Sequence, residues 1–142
     1  MVMKFFDALV RYEIALWNAV DRELARQHQI SLGQLHALRV VDRYDGQARV
    51  QDLSDDIGIT VGAASKLVDR LERGGLAVRS PNPVDRRSSL ISLTVPGRQV
   101  LTSATDVCGV ATARALGDED VEGLTAALQR LQARLSTSGV AT

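Results

Sequence analysis

Apolar residues recur along this chain at intervals of three and four, except in one central stretch where the interval drops to two. Phe5, Leu9, Tyr12, Leu16, Val20 and Leu24 predict an amphipathic helix over 4–27. At about 1.5 Å per residue it reaches roughly 35 Å. Ser31-Leu-Gly-Gln34 reads as a capping box, in which the serine oxygen accepts the N3 amide while the glutamine side chain reaches back. Leu32, Leu35, Leu38 and Val41 then share one face until Asp45-Gly46 turns the chain. Ala48-Arg49-Val50 has the length of a strand stub. A short helix follows with Leu53 and Ile57 one turn apart, ended by Gly58. Thr60 caps the next helix, whose Ala64, Leu67, Val68 and Leu71 form a stripe for burial before Gly74-Gly75 stops it.

The interval of two appears in Leu76-Ala-Val-Arg-Ser80 and again in Ser89-Leu-Ile-Ser-Leu93. These predict two antiparallel strands, and the segment Pro81 to Ser88 between them is too long for a tight hairpin, so it protrudes as a wing. Thr94 caps a further helix with Pro96 in its first turn, and Val100, Ala104, Val107, Ala111 and Ala115 run along it as a seam of small residues. Asp118-Glu119-Asp120 opens the last helix, where its dipole favours acids, and Val121, Leu124, Leu128, Leu131 and Leu135 stripe it. Ser136 to Thr142 reads as a frayed tail. Helix, glycine turn and second helix with a small, polar outer face make a helix-turn-helix. The fold class expected is mainly α (α+β): a winged helix-turn-helix over 31–99, with the terminal helices, 1–30 and 100–142, forming a dimerisation region. The long first helix and the leucine stripe of the last present more apolar surface than one small winged domain can cover, which a second copy of the chain would resolve. An intramolecular bundle of the terminal helices is the alternative.

Composition refines this picture in three ways. Aromatics are only 4%, so the core has to be aliphatic. The one cysteine, Cys108, can form no internal disulfide, and no Cys/His cluster spells a metal site. No segment has the pattern of a secretory signal or a membrane span, so a cytoplasmic protein without membrane contact is expected. The formal net charge is zero, yet residues 60–100 hold seven basic groups against three acidic ones. A basic segment on an otherwise acidic chain is either a DNA-reading face or a solvated surface of uneven charge. Enzymatic activity is not expected: there is no close Cys–His pair, no glycine-rich phosphate loop and no paired carboxylates set in a cleft, and no cofactor is implied.

The stretch from Leu53 to Gly97, LSDDIGITVGAASKLVDRLERGGLAVRSPNPVDRRSSLISLTVPG, resembles the multiple-antibiotic-resistance regulator (MarR) family of bacterial transcription factors. The likeness is carried by the helix ending LVDRLERGGL, the wing PVDRR and the strand exit LTVPG, and the helix order matches over nearly the whole chain. The resemblance implies a homodimer with interlocked terminal helices, whose winged domains sit side by side on an inverted-repeat operator in double-stranded DNA. It also implies repression that ends when a small, often aromatic, effector binds. A minority of such proteins respond to thiol oxidation instead, and a winged helix used only for protein contacts is a third reading.

Arg86 is the first candidate for DNA contact, since a wing-tip guanidinium suits a narrow minor groove; the resemblance makes it the wing arginine. Arg87 touches phosphate or pairs within the wing. Asp85, repelled by phosphate, is expected to hold Arg79 or Arg87 and so orient the wing. On the recognition helix, Thr60, Ser65, Lys66 and Arg70 are candidate contacts, and Val61, Gly62 and Ala63 are small enough for close approach to bases. Gly62 costs its helix about 1 kcal/mol against alanine, for which close backbone approach to DNA is a reason. Tyr12, Trp17 and His36 are candidates for lining an effector pocket, although tryptophan in an aliphatic protein is commonly core. The two histidines, His28 and His36, lie in different helices without a third ligand. Cys108 has no neighbouring base and reads as a small core-filling residue in preference to a redox sensor.

Overall fold

The computed structural model describes residues 1–28 and 30–138. Its elements are α1 (Val2–His28), α2 (Leu32–Arg43), α3 (Val50–Ile57), α4 (Val61–Arg73), β1 (Ala77–Pro81), β2 (Ser89–Leu93), α5 (Val95–Leu116) and α6 (Val121–Thr137). The chain divides into two compact units, Met1–Thr112 and Ala113–Thr142.

Local chemistry sets the boundaries in the first unit. Ser31 closes the capping box of α2, its Oγ accepting from the Gln34 amide at 3.1 Å while Gln34 Oε1 accepts from the Ser31 amide at 2.8 Å. Asp21 of α1 adds a carboxylate oxygen to the Leu32 amide at 2.7 Å, so α1 also caps α2. α2 is the central helix: Leu32, Leu35, Ala37, Leu38, Val40 and Val41 are all buried. α3 ends at Gly58, whose φ of +76° is the left-handed geometry that glycine adopts without a Cβ penalty. Thr60 Oγ1 then accepts the Ala63 amide and starts α4.

Ala64, Val68 and Leu71 of α4 are fully buried beside Leu24, Leu38, Val41, Leu53 and Ile91, and Leu67 is half-buried at the margin of that stripe. The buried apolar core is wholly Leu, Val, Ile and Ala. β1 and β2 pair antiparallel with Arg79 opposite Ile91, and the Ile91 amide donates to the Ala48 carbonyl at 2.7 Å. This bridge fastens the middle of β2 to the segment between α2 and α3. Thr94 Oγ1 accepts the Gly97 amide at 3.0 Å and caps α5.

Three boundaries in the winged region differ from the sequence pattern. Of the expected stub Ala48-Arg49-Val50, only Ala48 bridges to a strand; Arg49 is the extended cap of α3, its amide held by Asp52, and Val50 is already helical. The first strand begins one residue later than Leu76, because the Leu76 amide bonds back to the Leu71 carbonyl and finishes the turn after α4. It ends at Pro81 opposite Ser89, which leaves 82–88 as the wing loop.

In the second unit, Asp120 caps α6 by accepting the Gly123 amide at 3.1 Å, and Glu122 lies in the first turn. The expected tail is shorter than its composition suggests. Ser136 and Thr137 continue α6, returning their hydroxyls to the Gln132 and Ala133 carbonyls. Residues 139–142 lie outside the described residues.

Candidate nucleic-acid interface

The inward stripe of α4 leaves the opposite side of that helix to solvent. Thr60, Val61, Gly62, Lys66 and Arg70 are exposed and Ser65 is half-buried. A Cβ built on Gly62 would meet only the Thr60 hydroxyl, at 4.0 Å, so nothing inside the fold requires glycine there. The outer face of the first turn is therefore both small and open.

The wing is shaped by two side chains that fold the loop onto itself. Asn82 is buried; its Oδ1 accepts the Val84 amide at 3.0 Å and its Nδ2 donates to Ser88 Oγ at 3.0 Å. Asp85 Oδ1 accepts the Arg87 amide at 3.0 Å, and the Asp85 carbonyl accepts the Ser88 amide. The two turns leave Val84, Arg86 and Arg87 exposed. Asn82 was not among the sequence candidates. An asparagine set between two prolines in a strand-to-strand loop is the turn signal that marks it.

The expected pairing of Asp85 with a guanidinium is not what the structure contains. Asp85 holds the Arg87 backbone, and Arg79 points the other way, onto α4. Arg79 Nη1 donates to Asp69 Oδ1 at 2.8 Å and also to Glu72 Oε1, while Nη2 lies 3.4 Å from both the carbonyl and the hydroxyl of Ser65. The reason is register: Arg79 stands mid-strand opposite Ile91, beside α4, whereas Asp85 belongs to the far loop. Among the described residues Lys66, Arg70, Arg73, Arg86 and Arg87 have no ion-pair partner, whereas Arg26, Arg43 and Arg49 each have one and Arg79 has two.

The aromatic candidates separate. Trp17 lies against His36, ring centroids 5.2 Å apart and planes tilted by 49°. Both line a concavity of about 260 Å3 with Glu13, Arg39, Cys108 and Thr112 among the other residues around it. Tyr12 is exposed and does not line it. Five positions along a helix turn Tyr12 well away from Trp17, while Glu13, Leu16, Trp17 and Val20 follow the helical repeat. Burial holds the His36 imidazole below its ordinary range, aided by the nearby Arg39 and Arg43 charges. Burial also pushes the Cys108 thiol up, against the opposing pull of Arg39. Among the described residues no group of three or more His, Cys, Asp or Glu side chains is placed to hold a metal ion, and no helix is long and apolar enough to cross a membrane.

Residues 28–88 match the MarR family. An uncharacterized HTH-type transcriptional regulator, YfiV of Bacillus subtilis, is 30% identical over 100 residues, which are 70% of this chain and 57% of that protein. The chain thus spans little more than half the length of this curated relative. The crystal structure of Sco3205, a MarR family transcriptional regulator from Streptomyces coelicolor in complex with DNA, superposes with a TM-score of 0.86 at 22% identity, over 99% of this chain and 88% of that one. CouR from Rhodococcus jostii RHA1, bound to p-coumaroyl-CoA, gives 0.78 at 23% identity over 88% and 87%.

Proposed function

We propose that this chain, which belongs to the MarR family, is a homodimeric, sequence-specific DNA-binding transcriptional regulator. It acts as a repressor and leaves its operator when a small organic ligand binds. Residues 31–99 read DNA, and 1–30 with 100–142 hold two copies together. Such a regulator works in the cytoplasm, beside the chromosome.

The observation that carries the reading is the division of cations in the winged region. Arg79 is satisfied by carboxylates, whereas Lys66 and Arg70 on α4 and Arg86 and Arg87 on the wing are left exposed without one. Exposed cations on a helix face and on a protruding loop are the elements that meet phosphate and minor groove. Thr60, Val61, Gly62 and Ser65 are then at the end of α4 that approaches base edges, with Asp85 and Asn82 setting the shape of the wing. The concavity beside Trp17 and His36 is the effector site in this reading. The complex of CouR with p-coumaroyl-CoA supports a ligand of organic, partly apolar kind.

The test is a binding titration across salt on duplexes selected from a randomised pool. A two-fold dimer selects an inverted repeat with half-sites about 10 bp apart. Arg86→Ala occurs twice per dimer, so log K against log salt becomes shallower by up to about two units. An Arg86→Ala protein of undiminished affinity and unchanged slope would remove the wing from the interface. No duplex retained by the unaltered protein would favour a winged helix used for protein contacts alone.

A further inference from the structure

We propose that Arg79 is a positioning residue for DNA reading: it ties the wing strand to α4 and neutralises two carboxylates that α4 would otherwise turn toward phosphate. This rests on the DNA-binding reading above.

The geometry is that of one guanidinium serving three residues of a single helix. Asp69 Oδ1 and Glu72 Oε1 accept from Nη1, and the Ser65 carbonyl and hydroxyl face Nη2 at 3.4 Å. Ser65, Asp69 and Glu72 lie at four- and three-residue intervals, so they form one ridge of α4, and Arg79 lies along it. A planar fork with five donors can span such a ridge, which a single ammonium cannot. The other end of Arg79 is equally fixed. Its strand partner is Ile91, fully buried and bonded through its amide to Ala48. The ion pairs therefore join the recognition helix to a point of the hairpin that is anchored in the core.

Charge gives the arrangement its purpose. On α4 the cations Lys66, Arg70 and Arg73 alternate with the anions Asp69 and Glu72. A bare carboxylate beside a phosphate groove repels it and steers the helix away. Pairing both with Arg79 leaves the three cations unopposed. It also sets Ser65, whose carbonyl and hydroxyl oxygens both lie 3.4 Å from Nη2. Arg79 is only 25% exposed and both its Nη atoms are engaged by α4, so its effect on DNA passes through these residues and not through phosphate.

The experiment compares the full-length unaltered chain with Arg79→Gln, Arg79→Lys, Asp69→Asn/Glu72→Gln and the triple combination. Each is measured for thermal melting, for affinity across salt and for base preference in randomised half-sites. Arg79→Gln is expected to bind about tenfold more weakly, two copies being lost per dimer, with the salt slope unchanged because no phosphate contact is removed. In the Asp69→Asn/Glu72→Gln background the same change is expected to cost less than about threefold, since neighbours that act through one another are not additive. Arg79→Lys is expected to recover affinity but not half-site preference. A slope shallower by about two units would make Arg79 a direct phosphate contact and overturn the proposal. An equal loss in the neutral background, or unchanged affinity and preference in Arg79→Gln, would overturn it as well. Should Arg79→Gln not melt cooperatively, Arg79→Lys decides: retained melting with blurred half-site preference supports the proposal, and undisturbed preference ends it. An unaltered chain that retains no duplex overturns the DNA-binding reading and this proposal together. A binding chain indifferent to Arg79 overturns this proposal alone.

Discussion

Gly97 packs so tightly under Leu76 that a Cβ on it would stand 1.9 Å from the Leu76 carbonyl oxygen. That oxygen already accepts the Thr94 amide at 3.1 Å, so the start of α5 and the turn after α4 meet backbone to backbone. Neither side has a flexible side chain to yield. Gly97→Ala is therefore expected to cost more than the ~1–3 kcal/mol typical of overpacking, seen as a lower urea midpoint. Gly62→Ala should do the opposite, gaining up to about 1 kcal/mol because its Cβ enters open space. If close approach to DNA is why glycine stands there, that more stable variant binds its operator less tightly. A Gly97→Ala protein as stable as the unaltered one would show that the contact relaxes.

Caps and faces were legible in the sequence because they are local. Ser31, Thr60 and Thr94 each bond an amide three residues on, and the spacing of Leu35, Leu38, Val68 and Leu71 states which side of each helix is buried. Partners across the fold were not legible. Asp85 and Arg79 are six residues apart and of opposite charge, yet strand register sends Arg79 to α4, ten residues back to Asp69. Tyr12 and Trp17 both read as aromatic candidates on one helix, but only Trp17 is on the side that meets His36. Periodicity gives a direction along an element and says nothing of what lies opposite.

His36 makes stability depend on pH. Unfolded, its imidazole takes up a proton near the ordinary value of 6.5; folded, burial beside Trp17 together with the Arg39 and Arg43 charges holds it lower. In the window just below 6.5 the unfolded chain binds more protons, so stability falls as the pH drops through that window toward the folded value. His36→Gln should flatten this part of a melting-temperature profile. An unchanged profile would mean that another group sets it.

Cys108 bears on the proposed release from DNA by an organic ligand. Its thiol is half-buried, pushed up by burial, and so carries little thiolate at neutral pH. Peroxide should leave operator binding unaffected, and Cys108→Ser should bind as the unaltered chain does. A robust loss of binding on oxidation that disappears in Cys108→Ser would put thiol chemistry in place of the organic ligand.

The last helix argues for a second copy of the chain. Val121, Leu124, Leu128, Leu131 and Leu135 repeat at three and four along α6, and every one of them is between 44% and 61% exposed in a single chain. Within α1, Phe5, Phe6, Leu9, Val10 and Ile14 are likewise exposed, and only Val20 and Leu24 of that helix are buried. Full burial of a leucine-sized side chain contributes about 1.5–3 kcal/mol, so stripes of this length supply enough to offset the loss of translational freedom on association. An obligate dimer is expected, sedimenting at twice the 15.3 kDa of one chain at micromolar concentration. Leu128→Glu with Leu131→Glu places two carboxylates on the stripe and should yield monomer or unfolded chain. Because operator reading by paired half-sites needs both copies, the same double variant should lose preference for an inverted repeat over an isolated half-site. An unaltered chain that sediments as a monomer would mean that α1 and α6 are covered in some other way, and the paired half-site architecture would fall with it.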